Sequence, residues 1–246
     1  MAVTSNALNN ASSTSIASTT QTFTISNSDN TGTSAASLAI SVGGSTTSGD
    51  PKIVYSVTGA TNWAEGIDNS ASDSFKISAS NALGTTDTLV ITTTGVMTRP
   101  LQPCFLAYPS TTITDVTGDG TTYSIVYNSE VFDQGSNFAS NTFTAPVTGK
   151  YYLNVSVLFA GLGAGNTSGV ISLITSARTY SFGYINYGTM RDNGNFGNQA
   201  ASFVCDMTAA DTATVSVAIN GGTKVVDIFG NAASTIYTEF SGFLIC

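Results

Sequence analysis

Histidine is absent from this chain of 246 residues. Its absence removes the general base of Ser-His-Asp and Cys-His catalysis and the commonest ligand of zinc and haem sites. The three cysteines, Cys104, Cys205 and Cys246, form no C-x-x-C pair, which excludes the usual cysteine-based metal frameworks. Charge is also scarce. Asp, Glu, Lys and Arg together make up 9% of the chain, the net charge is −8, and the seven basic residues are scattered. Nucleic-acid affinity comes largely from basic groups meeting phosphates, and attraction to anionic membranes needs the same groups, so neither partner is expected. No apolar run approaches a membrane-spanning length, and Met1-Ala-Val-Thr-Ser-Asn-Ala-Leu8 lacks the basic start and apolar core of a signal peptide. The expectation is a chain made and kept soluble, without membrane insertion.

Ser, Thr, Asn and Gly fill the places that Lys and Glu usually take, which favours strands and turns over helices. The expected class is all-β. Residues 1–50 are rich in Ser, Thr and Asn, with short alternating islands at Phe23/Ile25 and Leu38/Ile40/Val42. They read as an attachment segment ordered by a partner or a larger assembly. Residues 51–100 read as a small β-module. Its strands are expected at Ile53/Tyr55/Val57, Trp63/Glu65/Ile67, Phe75/Ile77 and Leu89/Ile91, separated by Thr58–Asn62, Asp68–Asp73 and Leu83–Asp87. Each separator carries the small or side-chain-capping residues that hairpins need. The single tryptophan, Trp63, is its core or interface anchor. Thr98-Arg-Pro-Leu-Gln-Pro103 is the boundary, because two prolines within four residues favour an extended connector. Residues 104–246 form the third region, the head.

Within the head, Asn141 to Phe159 reads as a strand, a turn and a longer strand. Pro146 fixes φ and removes a ladder donor, and Gly149 is expected to supply a left-handed turn position. After it, Tyr151, Leu153, Val155, Val157 and Phe159 share one face and Tyr152, Asn154 and Ser156 the other, the period of a half-buried antiparallel strand. Further on, Val215/Val217/Ile219, Asn220-Gly-Gly-Thr223 and Val226/Ile228 are expected to form a hairpin, with glycines at its tip.

Two resemblances attach to these residues. Asn62-Trp-Ala-Glu-Gly-Ile-Asp-Asn-Ser70 with Asp73–Ser78, Leu83–Asp87 and Leu89–Val96 resembles a module common in phage tail-fibre and virion-surface proteins. From Cys104 to the last residue the chain resembles the C1q/TNF-like jelly-roll family. Phe105-Leu-Ala107 resembles its first strand, and Phe143, Pro146, Gly149 and Tyr151 or Tyr152 match its Phe-x-x-Pro-x-x-Gly-x-Tyr segment. Phe203 to Val217 resembles the strand, turn and strand near the family's end, and Phe240-Ser-Gly-Phe-Leu-Ile245 its closing strand. The resemblance implies a C-terminal jelly-roll sandwich that forms a homotrimer about a threefold axis, with the N-terminal β-rich region as its attachment. The collagen-like stalk of many animal relatives is missing. It further implies that the first and last strands run antiparallel side by side. Cys104 and Cys246 are therefore a candidate disulfide, with free thiols as the competing expectation and Cys205 as a buried apolar filler.

Candidate chemistry is thin. Asp68–Asp73 invites a calcium reading but lacks the glycine and closing glutamate of an EF-hand loop, and turn capping is the better account there and for Asp115 and Asp119 around Gly118-Asp119-Gly120. Asp206, Asp211, Asp227 and Glu239 are dispersed, so no acid pair suggests glycan cleavage. No catalytic, cofactor or metal residue is assigned, and the chain is expected not to be an enzyme. The loops Gly161–Ser168 and Met190–Asn198 are expected at the surface. The second, with the tyrosines before it, offers Tyr184, Tyr187, Arg191, Asp192, Asn193, Asn195 and Phe196 as a candidate binding patch for a host-surface glycan or protein. Aromatic rings stack on sugar faces while amides and carboxylates fix hydroxyls; the competing account packs the tyrosines in the core or on the trimer axis. Together these readings point to a bacteriophage virion protein, assembled in the host cytoplasm and placed on the virion surface. Its partners would be itself and other virion proteins reached through the N-terminal region. A tail fibre for host attachment is the first form, a capsid decoration protein the second and a glycan depolymerase the remote third.

Overall fold

The computed structural model describes residues 25–29, 31–32, 34–43 and 49–246. The chain divides into two units, Met1–Gly43 and Gly44–Cys246. In the first, Asn27 folds a short turn: its Nδ2 donates to the Ala35 carbonyl at 2.9 Å and its Oδ1 accepts from Asp29 N at 3.0 Å. Leu38, Ile40 and Val42 are exposed. Most of the expected attachment segment, including Phe23, lies outside the described residues.

The second unit opens with a five-stranded antiparallel meander made of β1 (Lys52–Tyr55), β2 (Trp63–Asp68), β3 (Ser74–Ser78), β4 (Asp87–Ile91) and β5 (Met97–Thr98). The expected strands and turns appear, except that β1 ends at Tyr55, before Val57. Register aligns Ile67, Phe75, Ile91 and Met97 in one row, Ile53, Glu65, Ile77 and Leu89 in the next, and Tyr55 beside Trp63. Because side chains alternate, these rows share a face, and none of its residues is fully buried. The other face carries Ala64, Asp68, Ser74, Lys76 and Ser78, all buried.

Thirteen further strands build a sandwich of two sheets: β6 (Cys104–Tyr108), β7 (Ile113–Thr117), β8 (Thr122–Ser124), β9 (Ser129–Gln134), β10 (Phe138–Ala139), β11 (Thr142–Thr144), β12 (Gly149–Ala160), β13 (Ser168–Thr175), β14 (Thr179–Phe182), β15 (Gly197–Met207), β16 (Thr212–Asn220), β17 (Val226–Ile228) and β18 (Glu239–Leu244). One sheet runs β9-β6-β18-β12-β15, with β17 and β7 continuing beside the far end of β12. The other runs β10-β11-β16-β13-β14, with β8 also on β16. First and last strands, β6 and β18, are antiparallel neighbours. Strands adjacent in sequence repeatedly change sheet, which makes this an all-β jelly roll.

The alternation in β12 is obeyed: Tyr151, Leu153, Val155, Val157 and Phe159 have no solvent exposure. They meet Ile171, Leu173, Val215, Val217 and Ile219 from the opposing sheet in one core. At one end Phe105 stacks on Phe143 at 4.8 Å and on Phe138 at 5.1 Å and meets Phe240 edge-on at 5.0 Å, geometries that aromatic quadrupoles favour.

Two expectations are corrected. Gly149 is not left-handed; it opens β12. A β-carbon there would stand 2.5 Å from the Cys246 carbonyl oxygen, so glycine permits the closing strand's end to approach. The left-handed residues of this region are Ser140 and Asn141, in the turn between β10 and β11. Second, Val215 to Ile228 is not a hairpin. Both edges of β16 are occupied, by β13 on one side and β8 and β11 on the other. Gly221 to Val225 therefore carry the chain across to the opposing sheet, where β17 pairs with β12 and β7.

Candidate functional site

The loop patch expected from the sequence is largely consumed by its own folding. Tyr187 is fully buried at the start of α1 (Tyr187–Met190), so it is no surface ligand. Its ring meets Phe159 edge-on at 5.3 Å and lies where a β-carbon on Gly169 would be 2.7 Å away. Asp192 closes the following turn: one carboxylate oxygen accepts from Gly194 N and Phe196 N, both at 2.8 Å. Arg191 donates to the Asn195 side-chain oxygen at 2.6 Å, and Asn195 takes the left-handed backbone. Phe196 packs edge-on against Phe229 at 5.5 Å. Tyr184, with 72% of its surface exposed, and Asp192, Asn193 and Asn195 still face solvent, though Asp192 and Asn195 spend side-chain oxygens on the turn itself. In the other loop, Leu162 and Asn166 turn inward; Asn166 Oδ1 accepts from Gly163 N at 2.7 Å.

The cysteines stand as free thiols. Although β6 and β18 are neighbours, register sets Cys104 opposite Phe243, three positions before Cys246. Cys246 lies past the strand end, where its carbonyl accepts from Lys150 N at 2.7 Å. The side-by-side strands are present, but the offset does not pair the sulfurs. Burial, with the Asp133 charge, raises the Cys104 pKa, and burial first of all raises that of Cys205; neither environment activates a thiolate.

Two carboxylates do come together, at a place the dispersed spacing of the acids concealed. Lys76 Nζ stands 2.8 Å from Asp68 and 2.9 Å from Asp87, all three side chains at least nine-tenths buried. Burial opposes ionisation of Asp68. Hydrogen bonds from Lys76 and Ser70, the lysine charge and the Ala71 amide outweigh it and hold the carboxyl below its ordinary range. Hydrogen bonds to Asp68 and Asp87, with their charges, raise Lys76 against its own desolvation. A lysine between two acids is a structural ion cluster rather than a general acid-base pair. Among the described residues no group of His, Cys, Asp and Glu is arranged to hold a metal ion. The Asp119 carboxylate, where calcium was considered, caps the Thr121 hydroxyl and amide instead.

What remains is the outward face of the β9-β6-β18-β12-β15 sheet. Register lines up Gln134, Cys104, Phe243, Tyr152 and Val204 in one row across five strands, and Phe132, Leu106, Ser241, Asn154 and Ser202 in the next. Tyr152 stacks on Phe243 at 5.2 Å. Val204 is 61%, Phe132 47% and Phe243 46% exposed. Polar groups on this face are engaged with one another. The Tyr152 hydroxyl donates to Ser202 Oγ at 2.7 Å, Ser202 Oγ to Asn154 Oδ1 at 2.8 Å, and Asn154 Nδ2 to Glu239 at 2.8 Å. The sequence expectation for β12 is a half-buried strand, with Tyr151 to Phe159 on one face and Tyr152 to Ser156 on the other. The structure makes the first face core and leaves the Tyr152 side open. This face thus combines exposed apolar side chains with polar groups already hydrogen-bonded to one another.

No protein-family model matches the chain, and no curated protein matches it. Among solved structures, the globular domain of zebrafish complement 1qA protein is similar over 59% of this chain and 98% of its own, at 16% identity and a TM-score of 0.40. Murine APRIL is similar over 58% and 99%, at 13% identity and 0.39. The PRD1 vertex protein P5 is similar over 62% and 78%, at 10% identity and 0.42. The jelly roll is assigned from strand order and register, independently of these likenesses. No helix among the described residues is long and apolar enough to cross a membrane.

Proposed function

We propose that this chain is a homotrimeric structural protein on the exterior of a bacteriophage particle. Its N-terminal region docks on the particle and its jelly-roll head projects for adhesion to the host surface, without enzymatic activity. The observation that carries this reading is the open face of the β9-β6-β18-β12-β15 sheet. A row running Cys104, Phe243, Tyr152 and Val204 stays partly or wholly exposed in one protomer, and a copy related by rotation supplies a matching row to cover it. The C1q/TNF-like motifs at Phe143–Tyr151 and Phe240–Leu244 support the same arrangement, and the resemblance of Asn62–Val96 to virion-surface modules supports the setting. Adhesion falls to the outward loops, where Tyr184, Asp192, Asn193 and Asn195 are the exposed side chains of the candidate patch available to a glycan or protein receptor.

Native mass spectrometry of the purified chain tests the assembly: a species of three copies is expected, and a monomer at micromolar concentration refutes it. The role is tested by adding saturating purified chain to cells before the particle. Blocked adsorption supports adhesion, and unimpeded adsorption removes it. Copy number then separates the forms, since a few trimers per particle mean a fibre and hundreds mean a decoration protein of the capsid.

A further inference from the structure

The five-stranded sheet is inverted relative to an ordinary protomer. Its covered face holds Lys76, Asp68, Ser74 and Ser78, with the loop at Leu83 and Gly84 against the ion cluster. Its open face holds the apolar rows: Tyr55 is 55%, Trp63 42%, Met97 57% and Ile53 36% exposed, while Phe75 and Ile77 are half-covered. Aromatic side chains present roughly 200 Å² each. With Tyr55 and Trp63 about half exposed, and Met97 and Ile53 beside them, the patch reaches the few hundred Å² that a monomer rarely leaves bare without use. The one charge within its rows, Glu65, accepts from the Tyr55 hydroxyl at 2.7 Å; Arg99, just past Met97 at the cleft, is the cation beside it.

This face is continuous with that of the head. Met97 and Arg99 line a cleft of about 500 Å³ together with Cys104, Gln134 and Phe243, so the end of the β5 row meets the outward row of the β6-β18 sheet. We infer that the occupant of the five-stranded sheet's open face is further copies of this chain, which makes the trimer interface one surface from Trp63 to Val204. The inference rests on the trimer proposed above. Copies seated on the head face are led along the module face by the short connector at Leu101–Pro103, and the apolar rows give three sheets a common interior. A different protein would have to match this face while leaving the adjoining head face to the copies.

Trp63 is the single tryptophan and reports on this face directly. In the purified full-length trimer, its emission is expected to be blue-shifted and its acrylamide quenching at least threefold weaker than in the urea-unfolded chain. The paired change Tyr55→Lys with Met97→Lys alters exposed side chains only. It is expected to raise the concentration for half-dissociation at least tenfold while leaving the circular dichroism spectrum unchanged. A trimer by mass whose Trp63 is as quenchable as the unfolded chain overturns the inference and leaves the trimer standing. Shielding of Trp63 that appears only on the intact particle overturns it in favour of another virion protein. A monomer at every concentration overturns both.

Discussion

At the scale of single residues, environment rather than residue type decides role. Tyr184 and Tyr187 are three positions apart, yet one is exposed and the other fully buried, because α1 begins at Tyr187 and turns its ring onto Gly169 and Phe159. The Tyr187 hydroxyl is buried without a hydrogen-bond partner. Tyr187→Phe removes that orphaned group and is expected to leave stability unchanged or raise it by up to about 1 kcal/mol. Tyr187→Ala opens a cavity costing about 3–5 kcal/mol, and Tyr184→Ala changes nothing measurable; urea unfolding midpoints separate the three. The free thiols are equally checkable. Alkylation of the unfolded chain without reductant is expected to add three groups by mass, and a mass showing only one would establish a disulfide.

At the scale of elements, the five-stranded sheet depends on an ion cluster where its neighbour depends on a packed core. Lys76→Met leaves Asp68 and Asp87 buried without their cation, an imbalance that costs about 3–5 kcal/mol. Trp63 fluorescence, which lies in the same sheet, reads the loss in denaturant. The cluster also sets a pH window. The Asp68 pKa is held below its ordinary 3.8, so its contribution is present above that value and is lost as pH falls through the lowered one. The Lys76 pKa is raised above 10.5, so its contribution is present below that value and disappears as pH rises through the raised one. Stability of this sheet is therefore expected to be flat through the neutral range and to fall at both extremes, while Lys76→Met removes both falls. The link between β16 and β17 makes a related point: which strands pair depends on which edges are free.

At the scale of the whole molecule, two sheet faces meet at the cleft between Met97 and Phe243, and these are the faces the proposed trimer would cover. Val204→Asp, at the exposed edge row, is expected to shift a trimer toward monomer at least tenfold in concentration without unfolding the protomer, as read by sedimentation. The same side chain is 61% exposed in one copy, so an unchanged assembly would place the interface elsewhere.

Composition and periodicity alone determined the all-β class, nearly every strand of the 51–100 region, the inward face of Tyr151 to Phe159 and the turn signals between them. These are local properties: a strand's alternation and a turn's backbone are written in neighbouring residues. Tertiary structure decided what neighbours cannot. It set the register that offsets Cys104 from Cys246 and the occupied edges that send β17 to the opposing sheet. It also brought Asp68, Lys76 and Asp87 to one point, turned Tyr187 inward and reassigned Gly149 from turn to close contact. Each depends on residues far apart in sequence meeting in space, where burial and the competition for sheet edges outweigh local preference.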